Sequence, residues 1–167
     1  MKGLKSLLTH QDKIIVNFDL VNKKWNKLMA YGLSYEAINI ALKKCKMLNS
    51  ELTIRLTNDK EMRSLNKKWR NKDRTTNVLA FPNNKNLSLN KKLIHLGDIL
   101  LSYGEIKREA IGRNISFIDH MIHLIVHGVL HLCGYDHLHK RDEKIMMNYE
   151  KIILAKVGIK DPYIEYN

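Results

Sequence analysis

The stretch HGVLHLCGYDH, residues 127–137, sets histidines at 127, 131 and 137, with Gly134 between the second and third. It closes a longer segment, SFIDHMIHLIVHGVLHLC (116–133), whose apolar residues recur at helical spacing. Ser116 followed by Asp119 gives a capping-box-like start, with Asp in place of the usual Glu or Gln. On a helix, His127 and His131 project from one side, roughly 6 Å apart along the axis. Two imidazoles so placed can share one metal ion. Gly134 can take the left-handed conformation that ends a helix, letting His137 swing back with a third nitrogen. Three neutral imidazoles leave a fourth tetrahedral position to solvent, as in a catalytic zinc site. The predicted ligands are therefore His127, His131 and His137, holding one ion per chain. Zinc is the expected cofactor, though imidazole sites also accept nickel, copper or iron.

A metal-free reading competes with this one. His120 and His123 lie on the same helical stripe, and a polar face of four histidines would look similar. His123 and His127 are also four residues apart. The spacing to Gly134 and His137 favours the 127/131/137 set, leaving His120 and His123 as structural or supporting groups. His139 is a weaker substitute for His137. Cys133, inside the motif, reads as a small buried apolar residue rather than a ligand. Cys45 and Cys133 match no Cys-x-x-Cys pattern, so neither a disulfide framework nor a thiolate zinc site is indicated.

The rest of the chain alternates strands and helices early and is helical late. KIIVNFDL (13–20), ELTIRLT (51–57), TNVLAF (76–81, stopped by Pro82) and LIHLGDILLS (93–102) read as strands. Helices are expected over 34–48 with Ser34 as N-cap, 58–69 with Asn58 or Asp59 as cap, 105–112, 116–133 and 139–158. In the last helix Met146, Ile152 and Leu154 read as apolar positions. NNKNLSLNKK (83–92) reads as a loop, and the tail DPYIEYN as frayed. With 167 residues, 44% hydrophobic and 28% charged, a single globular domain of α/β or α+β layers is expected over 1–167. The start, MKGLKSLLTHQDK, lacks an apolar run long enough for a signal peptide, and no stretch approaches the roughly 20 apolar residues of a membrane span. A cytoplasmic protein that does not engage a membrane is the expectation. Its formal charge of +12, from 29 Lys and Arg against 17 Asp and Glu, favours a polyanionic partner, foremost nucleic acid or the ribosome.

A second motif carries part of that charge. NKKWRNKDRTTNVLAFP (66–82) sets Lys67, Lys68, Arg70, Lys72 and Arg74 beside Trp69. Arg offers a rigid fork of donors matched to phosphate oxygens, and an adjacent aromatic can stack a base. A solvated basic loop with Trp69 tucked into the core fits the pattern equally well.

The histidine spacing is close to that of metzincin metalloproteases, which carry a Glu general base directly after the first histidine. Gly128 stands there instead, so the pattern points away from an ordinary protease and leaves open phosphoester cleavage, where a metal and an Arg stabilise charge. Taken together, HGVLHLCGYDH, WRNKDRTTNVLAFP and LGDILLS resemble the YbeY family from about residue 51 to 157. That resemblance implies a small α+β domain with a mixed sheet of about four strands, several helices and a zincin-like metal-site helix. It also implies a metal-dependent, single-strand-specific endoribonuclease that matures the 3′ end of small-subunit ribosomal RNA and serves ribosome quality control. His127, His131 and His137 would hold the metal, usually zinc, and Arg70 occupies the place of an Arg linked to activity. Trp69, Thr75 and Ala80 stand where the family usually has Tyr, Pro and Ser; loss of the proline should loosen the approach to strand 76–81. His127 and Arg70 are the expected catalytic pair, with Asp136 and Asp98 as candidate bases that are otherwise structural. The alternatives are a metzincin-like metalloprotease using another base, and a ribosome-associated binding protein with a structural metal.

Overall fold

Three parallel strands and one antiparallel strand make a mixed sheet in the order β1-β2-β4-β3. In this computed structural model, residues 13–21, 23–27, 30–83, 93–137 and 139–164 are described. The strands are β1 (Ile14–Leu20), β2 (Ser50–Thr57), β3 (Val78–Pro82) and β4 (Ile94–Ser102). The helices are α1 (Tyr31–Lys44), α2 (Asp59–Arg70), α3 (Tyr103–Gly112), α4 (Phe117–Leu132) and α5 (Lys140–Lys156). This is the α+β architecture expected. Pro82 ends β3 at the edge of the sheet, where its missing N–H breaks no central ladder. The start of the chain, residues 84–92 of the expected loop and the last three residues of the expected tail lie outside the described residues.

Helix α4 is the hub. Met121, Ile122, Leu124, Ile125, Val126, Val129, Leu130 and Leu132 are all buried, in one cluster with residues of α1, α5, β2 and β4. It lies so close to the sheet that a Cβ on Gly128 would sit 2.9 Å from Ile99 Cγ2. Helix α4 begins as expected, with Ser116 Oγ accepting from the Asp119 N–H. A short 3-10 helix, Lys23–Lys27, which the sequence pattern did not reveal, buries Trp25 completely; its indole N–H donates 2.9 Å to the Thr57 carbonyl.

Several expectations need correction. Helix α1 starts at Tyr31 rather than at Ser34, with Ala30 as N-cap and no side-chain cap. Ser34 is buried within the first turn, its N–H already bonded to the Ala30 carbonyl. The helix stops at Lys44, not 48, because Lys46 takes a left-handed conformation (φ 58°) and Met47 N–H turns back to the Leu42 carbonyl. In α5 the buried face is Met146, Glu150, Ile153 and Leu154, while Ile152 is exposed. The tail is not frayed through Tyr163: Ile159 is buried and Lys151 Nζ lies 3.0 Å from Asp161. Cys133 is half-buried beside Cys45, both as free thiols, and this contact with burial pushes the Cys133 thiol up, away from the thiolate a metal needs.

Asp59 ties α2 to α3. It accepts from Ser102 Oγ (2.5 Å), from the Glu105 N–H (3.2 Å) and from Arg108 (2.8 Å), so it supplies the cap that Ser102 does not. The cap of α2 itself is Asn58, whose side chain accepts from the Glu61 N–H at 3.0 Å.

Gly97 allows the bulge that keeps β4 paired on both sides. Its φ is +132°, and an added Cβ would lie 2.1 Å from the Phe81 carbonyl oxygen, a backbone atom. The backbone conformation alone costs a non-glycine residue about 1–3 kcal/mol, and the clash adds to it. Gly97→Ala should therefore lower the urea midpoint sharply at unchanged m-value; an unaltered midpoint would contradict this register.

Candidate metal centre

Helix α4 ends in a Schellman turn that builds the site. Gly134 has φ +91°, its N–H bonds to the His131 carbonyl at 3.0 Å, and the Tyr135 N–H bonds to the Leu130 carbonyl at 3.0 Å. The chain reverses, and Asp136 Oδ1 accepts from the His137 N–H at 2.7 Å. The His137 ring then lies over the end of α4, with centroids 5.6 Å from His127 and 5.0 Å from His131. One ring nitrogen from each of His127, His131 and His137 falls within 4.8 Å of the others.

Hydrogen bonds select which nitrogens face inward. The His127 Nδ1–H donates to Glu150 Oε1 at 2.8 Å, and the His131 Nδ1–H donates to the Tyr135 carbonyl at 2.9 Å. A carbonyl only accepts, so the Nε2 of neutral His131 carries a lone pair. The two Nε2 atoms stand 3.1 Å apart. Two bare lone pairs at that distance repel unless a cation lies between them. Tetrahedral zinc with Zn–N of 2.0–2.1 Å puts its ligand nitrogens about 3.3 Å apart, so the donor set fits such an ion. Burial, with His127 and His137 close by, pushes the His131 imidazole pKa down to about 4, so the ring stays neutral at neutral pH, the form that can ligate a metal.

Glu150 is the residue that sequence reasoning missed. It is fully buried, and its carboxylate accepts from His127 Nδ1, His123 Nε2 (3.1 Å) and the Tyr163 hydroxyl. Burial alone would raise its pKa; those three donors outweigh it and hold the carboxyl at about 2. The carboxylate fixes the His127 tautomer, as acidic partners of metal-binding histidines commonly do. A signal was present: Glu150 falls on the apolar stripe of α5, between Met146 and Ile153, where an acid needs partners. His123 is thus a support of the site. His120, buried, donates to Glu109 at 2.6 Å, and Glu109 also accepts from Asn77 Nδ2 at 3.0 and 3.1 Å.

Arg70 closes α2, where Asn71 turns left-handed (φ 55°). It lines a cavity of about 420 Å³ with Lys72, Arg74, Asn77 and Glu109. Asn77 and Glu109 also line a second cavity, of about 340 Å³, together with His120, His123 and His127. The two hollows share Asn77 and Glu109 in their linings, so the Arg70 and His127 cavities lie side by side. In the loop before β3, buried Asn66 donates 2.8 Å to the Arg74 carbonyl, next to Thr75. Trp69 is outside the core, 60% exposed, with its ring against Phe81. Lys67 is paired with Asp73 at 3.1 Å. Asp136 sits at the turn, and Asp98 is exposed on β4 and lines neither cavity.

The sequence model of the family described as Endoribonuclease YbeY matches residues 10–158. The chain belongs to the YbeY family. The Endoribonuclease YbeY of Vesicomyosocius okutanii is 44% identical over 114 residues, 68% of this chain and 77% of that relative. The Endoribonuclease YbeY of Bartonella quintana is 36% identical over 155 residues, covering 91% of this chain and 98% of its own. A solution structure of a Thermotoga maritima protein, 24% identical, matches with a TM-score of 0.56 over 90% of this chain and 99% of that one; the likeness is one of fold. The YbeY match spans both the Arg70 motif and the three histidines.

The titrations give a sign for pH. Unfolded His131 takes up a proton near 6.5, whereas in the folded, metal-free site it does so only near 4. The unfolded state binds more protons in that window, so stability falls as pH drops from 6.5 to 4. Glu150, depressed from 4.5 to about 2, contributes stability that is lost only at lower pH. Urea midpoints of metal-free His131→Asn should fall less steeply between pH 6.5 and 5 than those of the parent; equal slopes would contradict the assignment.

Proposed function

We propose that this chain is a single-domain, metal-dependent endoribonuclease that cuts single-stranded RNA and acts in ribosomal RNA maturation, at the small-subunit RNA 3′ end, and in ribosome quality control. His127, His131 and His137 hold one zinc ion. The observation that supports this reading best is that the Arg70 cavity and the His127 cavity adjoin, with Asn77 and Glu109 lining both. A phosphate-binding fork and a candidate metal centre in adjoining hollows suit an extended polynucleotide that reaches both.

A divalent ion held by the three imidazoles would supply Lewis-acid polarisation of a phosphate oxygen and lower the pKa of an adjacent water or hydroxyl. The chain's own residues do the rest. Arg70 clamps a phosphate and stabilises charge that develops on it in the transition state. Lys72 and Arg74 extend the positive wall of the same cavity, and Lys68 adds charge beside Trp69. Exposed Trp69 offers a stacking face, which only an unpaired base can use, and this favours single strands. Glu109 is the carboxylate lining both cavities. The net charge of +12 supports a polyanionic partner, RNA or the small ribosomal subunit. The proposed place of work is the cytoplasm, where ribosomal RNA is matured; among the described residues no single helix is long and apolar enough to cross a membrane.

The alternatives fit less well. A protease would need a base after His127, but position 128 faces Ile99 and has no room for a carboxylate. A structural metal more often has four protein ligands, and among the described residues the cluster has three.

Purified His127→Ala should lose bound metal and cleavage of a single-stranded RNA oligonucleotide together. Arg70→Ala should keep the metal but cut about 10²–10³-fold more slowly. Metal analysis beside mapped cleavage ends on precursor ribosomal RNA reads both effects. Cleavage that survives in metal-free His127→Ala, prepared alongside the parent to expose contaminating ribonuclease, would overturn the mechanism.

A further inference from the structure

The segment after α5 reaches the metal centre. Ile159 is buried, Arg113 donates to the Pro162 carbonyl, and Asp161 accepts from Lys151 (3.0 Å) and from the Tyr163 N–H (2.9 Å). These contacts bring the Tyr163 ring edge-on to His123, with centroids 5.6 Å apart, and its hydroxyl onto Glu150. Tyr163 also lines the cavity that holds His127. It lies beyond residue 158, the last position matched by the family's sequence model.

We propose that Tyr163 is a positioning residue of the metal centre: its hydroxyl holds the Glu150 carboxylate in the one orientation that keeps the His127 Nε2 lone pair turned toward the ion. This rests on the reading of His127, His131 and His137 as ligands, but not on the RNA reading.

The argument is one of counting donors. Buried Glu150 has two oxygens. Oε1 accepts from His127, and Oε2 accepts from His123 and Tyr163. A buried carboxylate is tolerated only where donors surround it. Without the phenol, a single 3.1 Å bond to His123 remains on Oε2, and the carboxylate can turn about its side-chain torsions. Once Oε1 leaves Nδ1 of His127, that imidazole can carry its proton on Nε2 instead, and Nε2 ceases to be a ligand. Tyr163 thus acts on the ion through two intermediaries, and its removal should weaken metal binding without unfolding the chain. Tyr163 as a whole is 38% exposed and lies outside the buried core, so little core burial depends on it.

The test uses the full-length chain and zinc alone. Zinc affinity is measured by competition with a chromophoric chelator for the parent, Tyr163→Phe, Glu150→Gln and the double variant. Thermal midpoints of the metal-free forms and absorption spectra of the cobalt-loaded forms are recorded alongside. Tyr163→Phe keeps the ring and loses only the donor. It should bind zinc about 10-fold more weakly, shift the cobalt bands and leave the metal-free midpoint nearly unchanged. The double variant should lose little more than Glu150→Gln alone, because both act through one path. A Tyr163→Phe zinc affinity equal to the parent's, or losses that simply add in the double variant, would overturn the proposal. So would unchanged zinc affinity with impaired RNA cleavage, which would place the phenol on the substrate instead. A parent chain that binds no zinc would instead overturn the metal-centre reading beneath it.

Discussion

Two imidazole nitrogens held 3.1 Å apart with their lone pairs facing are the constraint on which this structure turns. Neither ring is free to escape. One is anchored through Nδ1 to a fully buried carboxylate, and the other to a backbone carbonyl of the turn that follows its own helix. With both rings neutral, that arrangement is unfavourable without a cation and favourable with one. Much of the architecture around α4 serves to keep it. The helix is buried along most of its length, and the glycine at 128 lets it settle against Ile99. The Schellman turn at Gly134 then sets the third imidazole over the pair.

Around that centre the polar groups form a graded series. Glu150 sits deepest and serves the histidines, while Glu109 sits at the junction of the two cavities and is held by His120 and Asn77. Burial would raise Glu109, but its two partners outweigh that and keep it below the usual carboxylate range. Farther out come Arg70, Lys72 and Arg74, exposed at the end of α2 and in the loop after it. Asp59 matters here although it touches neither site. By joining the start of α2 to the start of α3, it fixes the two elements whose far parts carry Arg70 and Glu109.

The metal-site helix, its start at Ser116 and its stop at Gly134 were legible in the sequence because each depends on local chemistry. So were the four strands, whose β-branched runs are bounded by turn residues. What stayed hidden was long-range. The partner of His127 lies 23 residues away in sequence, on another helix, and only its place on the apolar stripe of α5 hinted at burial. The stop of α1 was misplaced because a lysine, not a glycine, takes the left-handed position. The tail read as frayed because its anchors, Arg113 and Lys151, belong to other elements. Trp69 could be read either way, since whether an aromatic faces core or solvent depends on how α2 meets the sheet.

X-ray absorption at the metal edge of the zinc-loaded chain tests the central claim most directly. One ion per chain, with three imidazole nitrogens at about 2.0–2.1 Å and one coordination position not filled by protein, is the result expected. A site with fewer than three imidazoles, or with a sulfur or a fourth side chain bound to the ion, would contradict it.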